Sequence, residues 1–262
     1  MRRGGRRGGF RGFGGGSSGL TYSVAESAAR LPNSAVGIIT SGVTQAGTIT
    51  QWAAVYGGKA ANVTLTPPAG TNEPVYNASA GPGGGPAAVF DGTNDVLRSA
   101  AVTAWGYSPA SFSIDVWGLL AGAETAGDCV ARYTGGDNIT LAVTAAPAGR
   151  ISTAGTGGAT TNGSTTLTGT QRRMQATGIS GASGTQSILV DGVAEGTAAI
   201  THAAWTDAGP FSIGASPAGA APVALTCVAW ALTFGSTEAP ALSPTEDAYL
   251  QALVANYVVG LV

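Results

Sequence analysis

The chain has 262 residues; only 10% are charged, 42 are glycine, and 44% are hydrophobic although aromatics make up just 7%. An average soluble domain has about 25% charged residues and about 7% glycine. The composition excludes a highly charged disordered chain and a coiled coil, and the length allows one large β domain with a tail, or about two domains at most. Net charge is −2, but it is unevenly spread. Arg2, Arg3, Arg6, Arg7 and Arg11 lie in the first twenty residues with no acid, leaving seven bases against fourteen acids in the rest. The acidic body argues against a nucleic-acid-binding domain, which shows a basic face.

In chain order, residues 1–19 form a low-complexity Arg/Gly/Phe arm. Its glycines leave the backbone unrestrained, so it is expected to take shape only against a partner. It lacks the apolar stretch of a secretory signal. No apolar run approaches the roughly 18 residues of a membrane span, so no membrane insertion is expected. Three uses fit the arm. As an anchor, its five guanidiniums would pair with carboxylates of another protein while Phe10 and Phe13 fill apolar pockets. As a nucleic-acid tail, arginine would meet phosphates and stack on bases. As a solvated tail it would do neither. The anchor reading is preferred, because the body carries no nucleic-acid fold signature.

Residues 20–47 connect the arm to the body and include its first part, with a short helix expected over Ser23–Leu31, stopped by Pro32. From about Thr48 the chain reads as strands. Thr48–Ala54 is one, and Phe112–Leu120 is a long one, with Phe112, Ile114 and Val116 on one face and Ser113, Asp115 and Trp117 on the other. Cys129–Tyr133, Ile139–Val143 and Arg173–Thr177 follow. Ser187–Val190 and Val193–Glu195 flank Asp191-Gly192, a two-residue hairpin signal. Phe211–Gly214 and Val223–Phe234 complete the strands. Ser243-Pro244-Thr245-Glu246 is a capping box that opens a helix, with Leu250, Leu253, Val254 and Tyr257 as its apolar stripe. Many short strands separated by Gly, Thr, Ser and Asn clusters imply a sandwich or jelly roll. Trp52 and Trp230 fall in strand patterns and are expected in the core.

Several of these pieces stand in a recognisable order: Thr50-Gln51-Trp52, Asn72-Glu73-Pro74-Val75-Tyr76, the Phe90-Asp91-Gly92-Thr93-Asn94-Asp95-Val96-Leu97 element, the Val190-Asp191-Gly192 hairpin, and Phe211-Ser212-Ile213-Gly214. A long strand then leads to Leu242-Ser243 and a helix ending at Asn256-Tyr257. Over roughly residues 36–257 the chain resembles the concanavalin A-like, laminin G-type jelly-roll family. The resemblance implies an all-β fold of two antiparallel sheets packed face to face, with a C-terminal helix and an extended N-terminal arm. Members of that family occur as glycan-binding modules and in bacteriophage virions, and low charge with Ala/Gly/Thr richness is similar to phage structural proteins.

The chemistry-bearing residues are sparse. Asp91, Asn94 and Asp95 suit either a calcium loop or plain turn hydrogen bonding, and the second is preferred because further ligands are not visible; no metal or cofactor is expected. Cys129 and Cys227 suit two buried thiols or a disulfide. His202 is the sole histidine and reads as a loop residue. Glycoside hydrolysis needs two facing carboxylates, and Asp115 has no acidic partner close in sequence, so an enzyme is not expected. For glycan contact the loop aromatics Trp105, Tyr107 and Trp205 are the candidates, although the reading in which they cover the sheet ends is preferred. The expectation from sequence is thus a non-enzymatic bacteriophage virion protein, a head decoration or tail-fibre component assembled in the host cytoplasm. Its arm would bind other virion proteins and copies of itself, and its body would contact host-surface glycan. A lectin-like module and an Arg/Gly-arm nucleic-acid binder are the alternatives.

Overall fold

The computed structural model describes residues 22–68, 73–102, 105–122, 125–135, 137–144, 151–154, 160–201, 204–205 and 209–258. The elements in order are α1 (Val24–Arg30), β1 (Ser34–Ile38), β2 (Val43–Gln45), β3 (Ile49–Ala53), β4 (Thr64–Thr66), β5 (Val75–Asn77), β6 (Ala87–Asp91) and β7 (Leu97–Ser99). They continue with β8 (Ser111–Leu120), β9 (Cys129–Gly135), β10 (Asp137–Val143), β11 (Ile151–Ala154), β12 (Thr160–Asn162) and β13 (Arg172–Ile179). Last come β14 (Thr185–Val190), β15 (Val193–Ala199), β16 (Phe211–Ile213), β17 (Ala224–Gly235) and α2 (Pro244–Tyr257).

Two sheets result. Sheet one runs β15-β14-β13-β8-β17-β6-β5, with β1 also paired to β17, and sheet two runs β12-β11-β10-β9-β16-β7-β4-β3-β2. The named strand pairs are antiparallel, as in the expected two-sheet sandwich with a C-terminal helix. Residues 20–47 contribute a strand to sheet one: every residue of β1 is buried, and it pairs Ser34–Ile38 against Thr233–Ala229.

Between the sheets the core is built on aromatic edges. Trp230 of β17 meets Trp52 of β3 edge-on at 6.4 Å and Phe211 of β16 at 5.6 Å, while Phe234 meets Tyr133 of β9 at 5.0 Å. Such pairs are worth about 0.5–1.5 kcal/mol beyond the area they bury. With so few aromatics in the chain, these rings supply the volume that its many small side chains lack. Gly37 of β1 is required by one of them, since a Cβ there would sit 2.4 Å from the Trp230 ring. The hairpin of β14 and β15 turns through Asp191 and Gly192, both at positive φ (50° and 78°), the conformation of a two-residue primed turn.

The outer face of sheet one is also covered. α1 meets α2 through Arg30, which lies over the Tyr249 ring at 5.2 Å, and Tyr22 just before α1 packs on Tyr249 while its carbonyl accepts from the Tyr257 hydroxyl at 2.7 Å. Leu250, Leu253 and Val254 are buried as the helical spacing requires, and Ser243 and Glu246 form the reciprocal cap. With α2 above it, β8 is buried along both faces, so Ser113, Asp115 and Trp117 lie inside the protein. Cys129 of sheet two and Cys227 of sheet one are free and buried, and burial pushes the Cys129 thiol up to about 12 and the Cys227 thiol up as well.

Candidate functional site

A polar assembly lies under α2. Sheet register places Asp115 of β8 beside Gln175 of β13, and Trp117 beside Arg173. The Arg173 guanidinium is 3% exposed and touches Asp115 Oδ1 from Nη2 at 2.6 Å and from Nε at 2.8 Å. The same Nη2 reaches Asp247 Oδ1 of α2 at 2.5 Å. Ser113 donates to Asp115 Oδ2 at 2.8 Å and accepts from Gln175 Nε2 at 3.0 Å. Arg173 also lies over the Trp117 ring, 5.2 Å from its centroid. Burial pushes the Asp115 carboxyl above the usual range against the pull of the Arg173 charge. Burial acts the same way on Asp247, but the hydrogen bond and charge of Arg173 overcome it and hold Asp247 below that range.

Two carboxylates therefore do meet, although they are distant in sequence. Divergent proton affinities of this kind mark acid and base partners in hydrolases. Here the guanidinium fills the space between them and Asp115 is 0% exposed, so no glycosidic bond fits there. As arranged, the assembly pins α2 to sheet one.

Beside it opens a groove of about 650 Å³, lined by Trp117, Gln171, Arg172, Arg173, Asp191 and Gln251. Ala252 and Ala255, from the C-terminal half of α2, form its apolar wall. The Asp191 turn is fixed against β13: its Oδ1 accepts from the Arg173 amide at 2.9 Å and its own amide donates to the Arg173 carbonyl at 3.0 Å. Its Oδ2 takes Arg172 Nη1 at 2.6 Å. Four side-chain atoms of three consecutive lining residues are buried with no hydrogen-bond partner: Gln171 Nε2, Gln171 Oε1, Arg172 Nε and Arg173 Nη1. Buried polar groups are nearly always paired, and each exception calls for an explanation. A more apolar groove of about 450 Å³ lies on the Asp247 side of the ion assembly, with Gln175, Leu189 and Leu242 in its wall.

The aromatic candidates for glycan contact do not line this groove, and they pack as the alternative reading has them. Trp105 is 3% exposed, packs edge-on against Phe234 at 5.0 Å and donates from Nε1 to the Asn33 carbonyl at 2.8 Å. Trp205 is 0% exposed and packs edge-on against Phe112 at 4.9 Å. Tyr107 is half-buried and donates to the Phe234 carbonyl at 2.8 Å. Trp105 and Trp205 are core residues, and Tyr107 packs against the core while keeping part of its surface exposed. The arm residues Arg2, Arg3, Arg6, Arg7, Phe10, Arg11 and Phe13, like His202, lie outside the described residues. At the Asp91 turn, Asp91 Oδ1 accepts from the amides of Thr93 and Asn94 at 2.7 and 3.3 Å, and Asp95 Oδ2 accepts from the Asp91 amide at 2.9 Å, which is turn chemistry. Sequence reasoning missed the groove, although Gln171-Arg172-Arg173 holds the only adjacent pair of basic residues beyond the arm.

No family profile and no curated protein matches this sequence. Solved structures match it by fold. Trypanosoma rangeli sialidase in complex with sialic acid superimposes with a TM-score of 0.55 at 12% identity, over 87% of this chain and 33% of the sialidase. An arabinofuranosidase complexed with arabinofuranosyl-alpha-1,2-xylobiose gives 0.50 at 14% identity, over 81% of this chain and 52% of that one. A GH54 α-L-arabinofuranosidase soaked with a cyclic sulfate inhibitor gives 0.51 at 14% identity with the same coverage. The chain thus spans about a third of the sialidase and about half of the arabinofuranosidases. These likenesses are of fold, and they are consistent with a concanavalin A-like jelly-roll sandwich. They also correct the expectation that the chain is not an enzyme, because this sandwich is a fold that glycoside hydrolase chains contain.

Proposed function

We propose that the chain is a carbohydrate-binding β-sandwich whose sugar site is the groove between Gln171–Arg173, the Asp191 turn and the C-terminal half of α2. The observation that carries this reading is the set of unpaired donors and acceptors on Gln171, Arg172 and Arg173 beside one concavity. Its volume of about 650 Å³ suits a ligand of a few sugar units, since small-molecule sites span roughly 300–1,000 Å³. The fold adds support, because its structural neighbours include proteins crystallised with sialic acid and with an arabinofuranosyl xylobiose. The test is calorimetric titration with an oligosaccharide panel, with reducing-end release followed in the same samples. Saturable binding that weakens about tenfold or more in Gln171→Ala, with thermal unfolding unchanged, is the expected result. Absence of binding, or equal binding by the variant, overturns the reading.

We also propose that the sandwich is carried on a bacteriophage particle, held through residues 1–19 to other virion proteins. Five arginines with no acid in the first twenty residues favour this, with Phe10 and Phe13 as apolar anchors. Deleting residues 2–19 is expected to leave a folded body that no longer enters the particle. Normal incorporation of the truncated chain would remove this part of the proposal.

A further inference from the structure

We infer that the groove selects an uncharged sugar, read through neighbouring hydroxyl groups by the Gln171 amide, and rejects acidic sugars. The inference rests on the carbohydrate reading above. The charges around the groove carry the first half of it. Arg172 and Arg173 are its cations, and both are already paired: Arg172 with Asp191 at 2.6 Å, Arg173 with Asp115 at 2.6 Å and Asp247 at 2.5 Å. Two guanidiniums thus face three carboxylates, so an incoming anion meets no net positive charge. The wall from the C-terminal half of α2 adds to this, because a helix carries partial negative charge at its carbonyl end and no basic residue stands in the last turn to offset it.

Hydrogen-bond chemistry carries the second half. The atoms in need of partners are three donors (Gln171 Nε2, Arg172 Nε and Arg173 Nη1) and one acceptor (Gln171 Oε1). An ionised carboxylate only accepts, so it would leave Gln171 Oε1 unpaired. A hydroxyl both donates and accepts. Gln171 is half-buried in the groove wall; turned outward, its amide can meet two adjacent sugar hydroxyls together, one donating to Oε1 and the other accepting from Nε2. Asp191 and Arg172 are the exposed ion pair of the lining, 41% and 40% exposed, so removing the Asp191 charge leaves the Arg172 cation uncompensated.

The experiment compares neutral arabino-, xylo-, gluco- and galacto-oligosaccharides with oligogalacturonate and sialyllactose on the full chain. The best neutral sugar is expected to bind about tenfold or more tighter than any acidic one. Gln171→Glu, which loses the donor and adds a negative charge, should weaken neutral binding by a similar factor. Asp191→Asn keeps an acceptor for the Arg173 amide, and asparagine tolerates the positive φ of the turn. It should narrow the preference by admitting acidic sugars. Should Asp191→Asn fail to fold, the salt dependence of wild-type binding decides instead: the neutral ligand's affinity is expected to stay flat between low and moderate salt. Tighter binding of an acidic sugar overturns this inference while leaving the carbohydrate reading in place. If no sugar of either kind binds, the carbohydrate reading itself fails.

Discussion

The two sheets share an apolar interior but differ on their outer faces. Sheet two turns Thr64, Thr66 and Arg98 to solvent, whereas sheet one buries Ser113, Asp115, Trp117, Arg173 and Gln175 beneath α2. Polar side chains in water find partners anywhere. The same groups under a helix need fixed partners, and those they lack become potential ligand contacts. The helix that covers sheet one therefore creates both the ion assembly and the groove with its unpaired atoms.

This contrast can be broken at graded cost. Arg173→Met removes the cation between two carboxylates, and loss of one partner from a buried pair costs about 3–5 kcal/mol. Urea unfolding should show it, and a loss below about 1 kcal/mol would mean that the covered face is no more demanding than the exposed one. Gly37→Ala tests the interior instead. Its Cβ would meet the Trp230 ring at 2.4 Å, and overpacking of this kind costs about 1–3 kcal/mol.

Acid sharpens the comparison further. Asp247 titrates below its ordinary value of 3.8, so its stabilisation is present above that pH and lost as pH falls through the depressed value. Asp115, raised by burial, acts with the opposite sign, its contribution fading as pH rises. Asp247→Asn should thus be less stable at neutral pH but lose less between pH about 5 and about 2 than the parent does. Equal slopes in the two proteins would remove Asp247 from the account. The smallest effect is expected on the open face, where Thr64→Ala should change stability by no more than about 0.5 kcal/mol.

Much of the architecture is legible in the residues. The Asp191-Gly192 hairpin, the capping box at Ser243 and the long strands at Ser111–Leu120 and Ala224–Gly235 all have local signals that tertiary packing reinforces. β1 does not, because Ser-Ala-Val-Gly-Ile is short and Gly37 reads as a breaker, while its real reason is the Trp230 ring above it. β4, β5 and β7 hold three residues each, too few to show a period. The buried side of Asp115 was hidden for another reason: alternation tells two faces apart but does not say that a helix will cover the second. The site was less legible still. Gln171, Arg172 and Asp191 are joined by strand pairing, and an aspartate placed in a turn by its backbone preference gives no sign that its carboxylate will also bind an arginine. Loop position left both exposure and packing open for Trp105 and Trp205; in a core otherwise rich in small side chains their volume is taken inside.

The two thiols have a consequence for where such a domain can operate. Disulfide exchange proceeds through the thiolate, and Cys129 and Cys227, protonated and sealed in opposite layers, offer none at neutral pH. No covalent cross-link has to form for the sandwich to mature, and none is there for a reductant to cut. Its stability is expected to be the same in reducing and oxidising compartments, which suits a protein made in one environment and used in another.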